Sequence, residues 1–215
     1  LVGSEMCIRD RYQGEANVGR ARQYSLLFQS LIADWRKQWK QELPFYFVQL
    51  ANYLRSQEIQ PDSKWAALRE AQSDALSMEG TGMVSAIDLG VAHDIHPKNK
   101  QEVGRRLALL SLANTYQRGT YDVPAFQEYR ISGNKLILSF DCEVKTATGE
   151  PKGFIIAGPD QVFYQATATI QGKEVILESP EVEIPIAARY GWADNPECNL
   201  YGTAGLPVAP FRTDK

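Results

Sequence analysis

The sequence predicts an α/β fold followed by a β-rich segment. Two textures carry that reading. From Gly19 to Gln117, helix-like and strand-like apolar patterns alternate. After Arg118-Gly119 the chain turns to short extended segments separated by Gly, Pro and Asp. The alternating part implies a parallel sheet covered by helices on both faces, and the second part implies a β-sandwich. At 215 residues and 44% hydrophobic, the chain is long and apolar enough to bury one large core or two smaller ones. A boundary is expected near residues 118–124, which divides the chain into 12–120 and 121–215.

The elements follow in order. Residues 1–11 are set aside, because Glu5 to Arg11 reads as a translated sequencing-library adapter rather than as fold. They are expected to pack against nothing. Tyr24, Leu27, Phe28, Leu31, Ile32 and Trp35 recur at three- and four-residue spacing, the apolar face of an amphipathic helix. After Pro44, the aromatic and branched run Phe45 to Leu50 fits a buried strand. Ser63 is a good N-cap for a helix through Trp65, Leu68 and Ala71 to Leu76. Met83 to Ile87 reads as a second buried strand. A loop carries His93 to Lys98, and Asn99 caps a last helix with Glu102 as its box partner. In the second half, 135–140, 153–157, 162–170 and 174–177 read as strands.

Charge and composition exclude some functions. The formal net charge is -3, with no basic stripe, which argues against nucleic acid. No apolar run approaches the roughly 20 residues of a membrane helix. Cys7, Cys142 and Cys198 are too few and too scattered for a disulfide framework. Cys142 and Cys198 are either a single bridge or two separate thiols.

Two constellations hold residues suited to chemistry. Both histidines lie in His93-Asp94-Ile95-His96, after a predicted strand and before a helix. Sites in open α/β sheets form at the carboxyl ends of strands, and a histidine beside a carboxylate is the base half of an acyl-transfer triad. In an extended segment Asp94 and His96 share a face and His93 points the other way. The same tetrapeptide also reads as a surface pair at a helix entry. No third or fourth metal ligand stands at a suggestive spacing. The second constellation is Gln13-Gly14-Glu15-Ala16-Asn17. The amides of Gln13 and Asn17 can donate to an oxyanion, Gly14 permits close backbone approach, and Glu15 can hold the loop by accepting backbone N–H groups. The plainer reading is a helix-entry loop. Arg189 to Asn195 reads as a buried tryptophan with an arginine–aspartate pair, or as a sugar contact through Trp192.

These residues carry a resemblance. Tyr12 to Asn17 resembles the Gln-Gly-Glu-Ser-Asn block of sialate O-acetylesterases, with Ala16 in place of serine and Arg11 where a tryptophan is expected. Asp94 to Gly104 is similar to that family's histidine block. Arg189 to Pro196, Asn199-Leu200-Tyr201 and Pro210 to Asp214 are similar to its closing segments. The resemblance implies the C-terminal part of a flavodoxin-like SGNH hydrolase domain followed by a β-sandwich-like accessory domain. It implies a serine esterase that removes O-acetyl groups from sialic acid or a similar sugar, with acetylated xylan or a non-catalytic sugar-binding role as alternatives. His96 matches the catalytic base and Gln13, Gly14, Glu15 and Asn17 the oxyanion block. SGNH hydrolases generally place the acid three residues before the histidine, where this chain has His93; Asp94, two residues before, is taken as the acid and Asp88 is the runner-up. The nucleophilic serine is expected upstream, so the stretch shown is expected to be inactive by itself. The resemblance implies no cofactor, an acetylated glycan as partner, and export from the cell.

Overall fold

The computed structural model describes residues 8–214. Three strands, β1 (Arg9–Tyr12), β2 (Phe45–Gln49) and β3 (Thr81–Ser85), form a parallel sheet in that order. A 3-10 turn, Glu15–Arg20, leads into helix α1 (Ala21–Trp39). Helix α2 (Lys64–Ser73) joins β2 to β3, and α3 (Lys100–Asn114) follows β3. All five residues of β2 are buried, so both of its faces are covered. Phe45 and Phe47 pack with Tyr24, Phe28 and Ile32 of α1 and Leu68 of α2. Tyr46 and Val48 face the other way, onto Val103 and Leu110 of α3. That is the alternation of a strand between two helical layers.

Capping fixes where two helices begin. Ser63 Oγ accepts the Ala66 N–H at 3.0 Å, and Asn99 Oδ1 accepts the Glu102 N–H at 3.2 Å. The expected box at Asn99 does not close, because the Glu102 carboxylate turns to Arg105 and Arg106 instead.

Several expectations are corrected. Residues 8–11 are not a detached leader. Arg9, Asp10 and Arg11 pair in register with Phe45, Tyr46 and Phe47, and Ile8 packs beside the core under α3. Backbone pairing needs no particular side chain, so a run that looks foreign by composition still makes a strand. Residues 1–7, including Met6 and Cys7, lie outside the described residues. On α1, Tyr24, Phe28 and Ile32 form the buried row, while Leu27 is 57% exposed. One residue off that four-residue row is a turn of about 100°, which carries Leu27 past the contact. Strand β3 starts and ends two residues before the expected Met83 to Ile87, because Thr81 pairs with Phe45 and Ser85 with Gln49.

The second half holds β4 (Phe126–Ser132), β5 (Lys135–Phe140), β6 (Val144–Thr146), β7 (Phe154–Ala157), β8 (Phe163–Gln165), β9 (Thr167–Gln171), β10 (Glu174–Glu178), β11 (Ala187–Tyr190), β12 (Leu200–Gly202) and β13 (Phe211–Arg212). Two four-stranded antiparallel sheets, β4-β5-β10-β9 and β13-β11-β7-β8, share one core. Leu136, Leu138 and Val175 enter it from one sheet, and Phe154, Ile156 and Tyr190 from the other. A third pair, β12-β6, closes one end. The run expected as one strand over 162–170 is two, β8 and β9, in different sheets, with Ala166 at the crossing. Cys142 and Cys198 are separate free thiols.

The two halves meet on Arg69 of α2, whose side chain is fully buried. Its guanidinium donates to Leu50 O at 2.9 Å and Ala51 O at 2.9 Å, just past β2, and to Ala193 O at 2.8 Å and Asp194 O at 2.8 Å, between β11 and β12. Burial lowers its pKa to about 10, so it stays charged at neutral pH. Asp194 returns the contact, its carboxylate accepting from Ser63 Oγ at 2.6 Å and Gln60 Nε2 at 2.7 Å. Nearby, Arg212 pairs with Glu70 of α2 at 2.8 Å.

Replacing Arg69 takes its guanidinium donors from four carbonyls, of which Asp194 O keeps the Tyr53 N–H. Arg69→Ala is expected to destabilise the intact polypeptide by about 3–5 kcal/mol in urea denaturation. Arg69→Lys should recover little of that loss, because one ammonium group cannot span two loops as the planar fork does.

Candidate active site

Three loops leave the carboxyl ends of β1, β2 and β3 at one edge of the sheet, the place where open α/β sheets build sites. The first holds Gln13 to Asn17. A Cβ on Gly14 would sit 3.2 Å from Leu68 Cδ2 and 3.3 Å from Leu50 Cδ1. The position therefore lets the chain leave the sheet tightly against α2 and β2. Glu15 Oε2 accepts the Gly14 N–H at 2.9 Å, the loop-holding part the sequence suggested for it. Gln13 O accepts from Tyr24 Oη at 3.0 Å and Gln72 Nε2 at 3.1 Å. The Gln13 amide nitrogen donates to Asn17 Oδ1 at 3.0 Å. That contact engages Gln13 and leaves the Asn17 amide nitrogen without a partner among the described residues, so Asn17 is the better placed donor of the two.

Arg11 shows what the expected tryptophan would occupy. It pairs with Phe47 across the sheet, with its guanidinium carbon 6.0 Å from the Phe28 ring centroid. Its Nη2 reaches Gln13 Oε1 at 2.8 Å, but its Nε is buried with no partner.

The third loop carries the histidines, and it is not extended. The Asp94 N–H donates to Val91 O at 3.1 Å, and the chain turns there. Asp94 Oδ1 accepts the His96 backbone N–H at 2.9 Å, an Asx-type turn. The shared face expected from strand alternation is thus replaced by a turn that brings the two side chains together anyway. His96 Nδ1 lies 3.7 Å from Asp94 Oδ1. That is ion-pair range, longer than a hydrogen bond. The bond from the His96 amide holds the Asp94 carboxyl below the usual carboxylate range. The His96 side chain is 85% exposed, and His93 is exposed beside it. Ile95, between them, packs into the cluster that contains Tyr12 and Tyr53, tying this loop to the other two.

Asp88 is committed elsewhere. Both its oxygens accept from Arg106 at 2.7 Å, and Tyr201 Oη donates to it at 3.1 Å. Arg106 also donates to Ser85 O at 2.6 Å and Glu102 Oε1 at 2.8 Å. The network fastens the end of β3 to α3 and β12.

Trp192 lies in the wall. It is 6% exposed, donates from Nε1 to Pro61 O at 3.0 Å, and lies between the guanidinium groups of Arg189 and Arg212, at 5.1 Å and 4.8 Å. The arginine partner expected for Asp194 goes to Asp214 instead, with Arg189 Nε 3.0 Å from Asp214 Oδ1. Cys198 is half-buried, and desolvation pushes its thiol up to about 12, too high for a nucleophile. Among the described residues no cluster of His, Cys, Asp and Glu is able to hold a metal ion, and no helix is long and apolar enough to cross a membrane.

Sequence reasoning missed the parts played by Asn52, Leu54, Gly90, Arg69 and Asn195, which join the loops after β2, β3 and β11. Gly90 carried a usable signal: a glycine between a strand and a histidine loop marks close backbone approach. The asparagines carried none.

No family model matches the chain, and no curated protein matches it. A solved structure does. The chain is similar to the crystal structure of a carbohydrate acetylesterase from Xanthomonas citri, with 41% sequence identity and a TM-score of 0.92 over 98% of its own length. It spans 51% of that chain.

Bonds from Arg105, then Arg106, lower the Glu102 carboxyl from 4.5 to about 2. A group depressed in the folded state contributes stability above its unfolded value and loses it as pH falls toward the folded one. Stability is therefore expected to fall between about pH 4.5 and 2, and Glu102→Gln should remove part of that slope in denaturation curves taken across the range.

Proposed function

We propose that this chain is the base-bearing part of a carbohydrate O-acetylesterase, a serine esterase built on a flavodoxin-like SGNH domain with a β-sandwich accessory domain. The observation that supports it most is the pairing of His96 with Asp94 on a strand-end loop, in a chain 41% identical to a carbohydrate acetylesterase. Among the described residues no serine or cysteine bonds to the His96 ring. The nucleophile in this reading is a serine from a part of the polypeptide outside this chain, consistent with the greater length of the similar structure.

The chemistry follows from the groups present. The serine hydroxyl attacks the acetyl carbonyl as His96 takes its proton, and Asp94 stabilises the imidazolium. Asn17, with backbone N–H groups, donates to the tetrahedral oxyanion. The C–O bond to the sugar breaks, and the sugar hydroxyl leaves with the proton from His96. Water then attacks the acetyl-serine with His96 as base, and acetate departs. No cofactor takes part. The substrate is O-acetylated sialic acid or a similar acetylated sugar, acetylated xylan being the nearest competitor, and the proposed place of action is outside the cytoplasm, where such acetylated glycans mostly lie.

Assays of the intact polypeptide on acetylated sialic acid and acetylated xylan test this by release of acetate. His96→Ala should lower kcat by about four to six orders of magnitude. Asp94→Asn should cost up to about 10,000-fold, since an amide cannot stabilise the imidazolium. His93→Ala should cost little. Wild-type protein that binds either sugar yet releases no acetate, or full turnover in His96→Ala, would overturn the reading.

Asn17→Ala should lower kcat by about 100- to 1,000-fold, the scale for one oxyanion donor. Gln13→Ala should have a smaller effect if Gln13 chiefly orients Asn17. Initial-rate kinetics of the two variants decide the order.

A further inference from the structure

Among the described residues the His96 ring has one partner, Asp94, and the side chain stands in solvent. Its position therefore depends on how the preceding backbone is held. Two anchors hold it, both to the loop after β2. The Gly90 N–H donates to Asn52 Oδ1 at 2.7 Å, and the two chains are pressed so close that a Cβ on Gly90 would fall 1.8 Å from Asn52 O. The Leu54 N–H donates to Ala92 O at 3.1 Å. Leu54 makes that contact from the left-handed region, at φ 75. A non-glycine residue stays there only when its surroundings over-determine it.

Both anchors lead to one residue. Asn52 Nδ2 donates to Asn195 Oδ1 at 2.6 Å, and Asn195 Nδ2 donates to Leu54 O at 2.7 Å. Asn195 follows Asp194, whose carbonyl takes the Arg69 guanidinium and the Tyr53 N–H. A single amide from the β-rich half thus clamps both sides of the loop that carries the two anchors. We infer that Asn195 is a positioning residue for His96, which makes the β-rich half a working part of the hydrolytic site. This rests on the hydrolytic reading of His96.

The test uses the intact polypeptide with Asn195→Ala and Asn195→Asp. The aspartate keeps the acceptor for Asn52 but sets an oxygen against Leu54 O, so it releases the Leu54–Ala92 anchor with little change in volume. Both variants should lose about 10- to 100-fold in kcat, the scale for a catalytic group displaced by about an ångström. KM and the melting temperature of Asn195→Asp should stay near wild type, and the Leu54 amide should exchange faster with deuterium. A merely structural asparagine would lower the melting temperature and leave kcat alone. If Asn195→Ala does not fold, Asn195→Asp decides. Wild-type kcat in folded Asn195→Asp, with His96→Ala inactive, overturns the positioning role and spares the hydrolytic reading. Full activity in His96→Ala overturns both.

Discussion

A buried guanidinium constrains the rest of this molecule. Arg69 sits inside the protein, and among the described residues no carboxylate is hydrogen-bonded to it. It is satisfied by four backbone carbonyls, two from the end of β2 and two from the turn beyond β11. A charge in that setting is tolerated only if its donors are met. The planar fork of arginine meets carbonyls on two sides at once, which a lysine cannot do. The loop after β2 and the loop after β11 therefore take their shapes together. Neither half of the chain shapes the candidate site alone.

The strand-end loops differ in how they are held. The Gln13 to Asn17 loop is pinned from below, where Gly14 lies against Leu50 and Leu68, and from the side by Tyr24 and Gln72. The Asp88 end of the histidine loop is fixed by a two-pronged ion pair to Arg106. From Val91 to His96 the loop rests on single hydrogen bonds and the packing of Ile95, and the His96 side chain stands open to water. The His96 ring has that access, while its upstream backbone stays tethered through Asn52 and Leu54.

What the sequence made legible was local. Ser63 and Asn99 marked helix starts because a side-chain oxygen before a helical run satisfies an otherwise unpaired N–H. Phe45 to Leu50 read as a buried strand because apolar side chains on alternating faces need cover on both. Local reading failed where partners decide. Arg9 to Arg11 looked foreign and yet pair with β2. Thr81 and Gly82 belong to β3 through register, not hydrophobicity. The run at 162–170 breaks at Ala166 because its two parts answer to different neighbours, β7 and β10.

At the site the same division holds. The sequence pointed to His96, Asp94 and the Gln13 to Asn17 block through a family resemblance, while residue types and spacing alone left the plainer helix-entry readings open. An aspartate two residues before a histidine also carries its own local geometry, a turn closed by the His96 amide. Tertiary structure alone decided that Asp88 bonds to Arg106, that Trp192 is buried against Pro61, and that Asn195 bonds to both Asn52 and Leu54. Those choices depend on contacts between residues more than 100 apart for Trp192 and Asn195. No periodicity or spacing along one strand of sequence encodes which distant carbonyl or amide a buried side chain will meet.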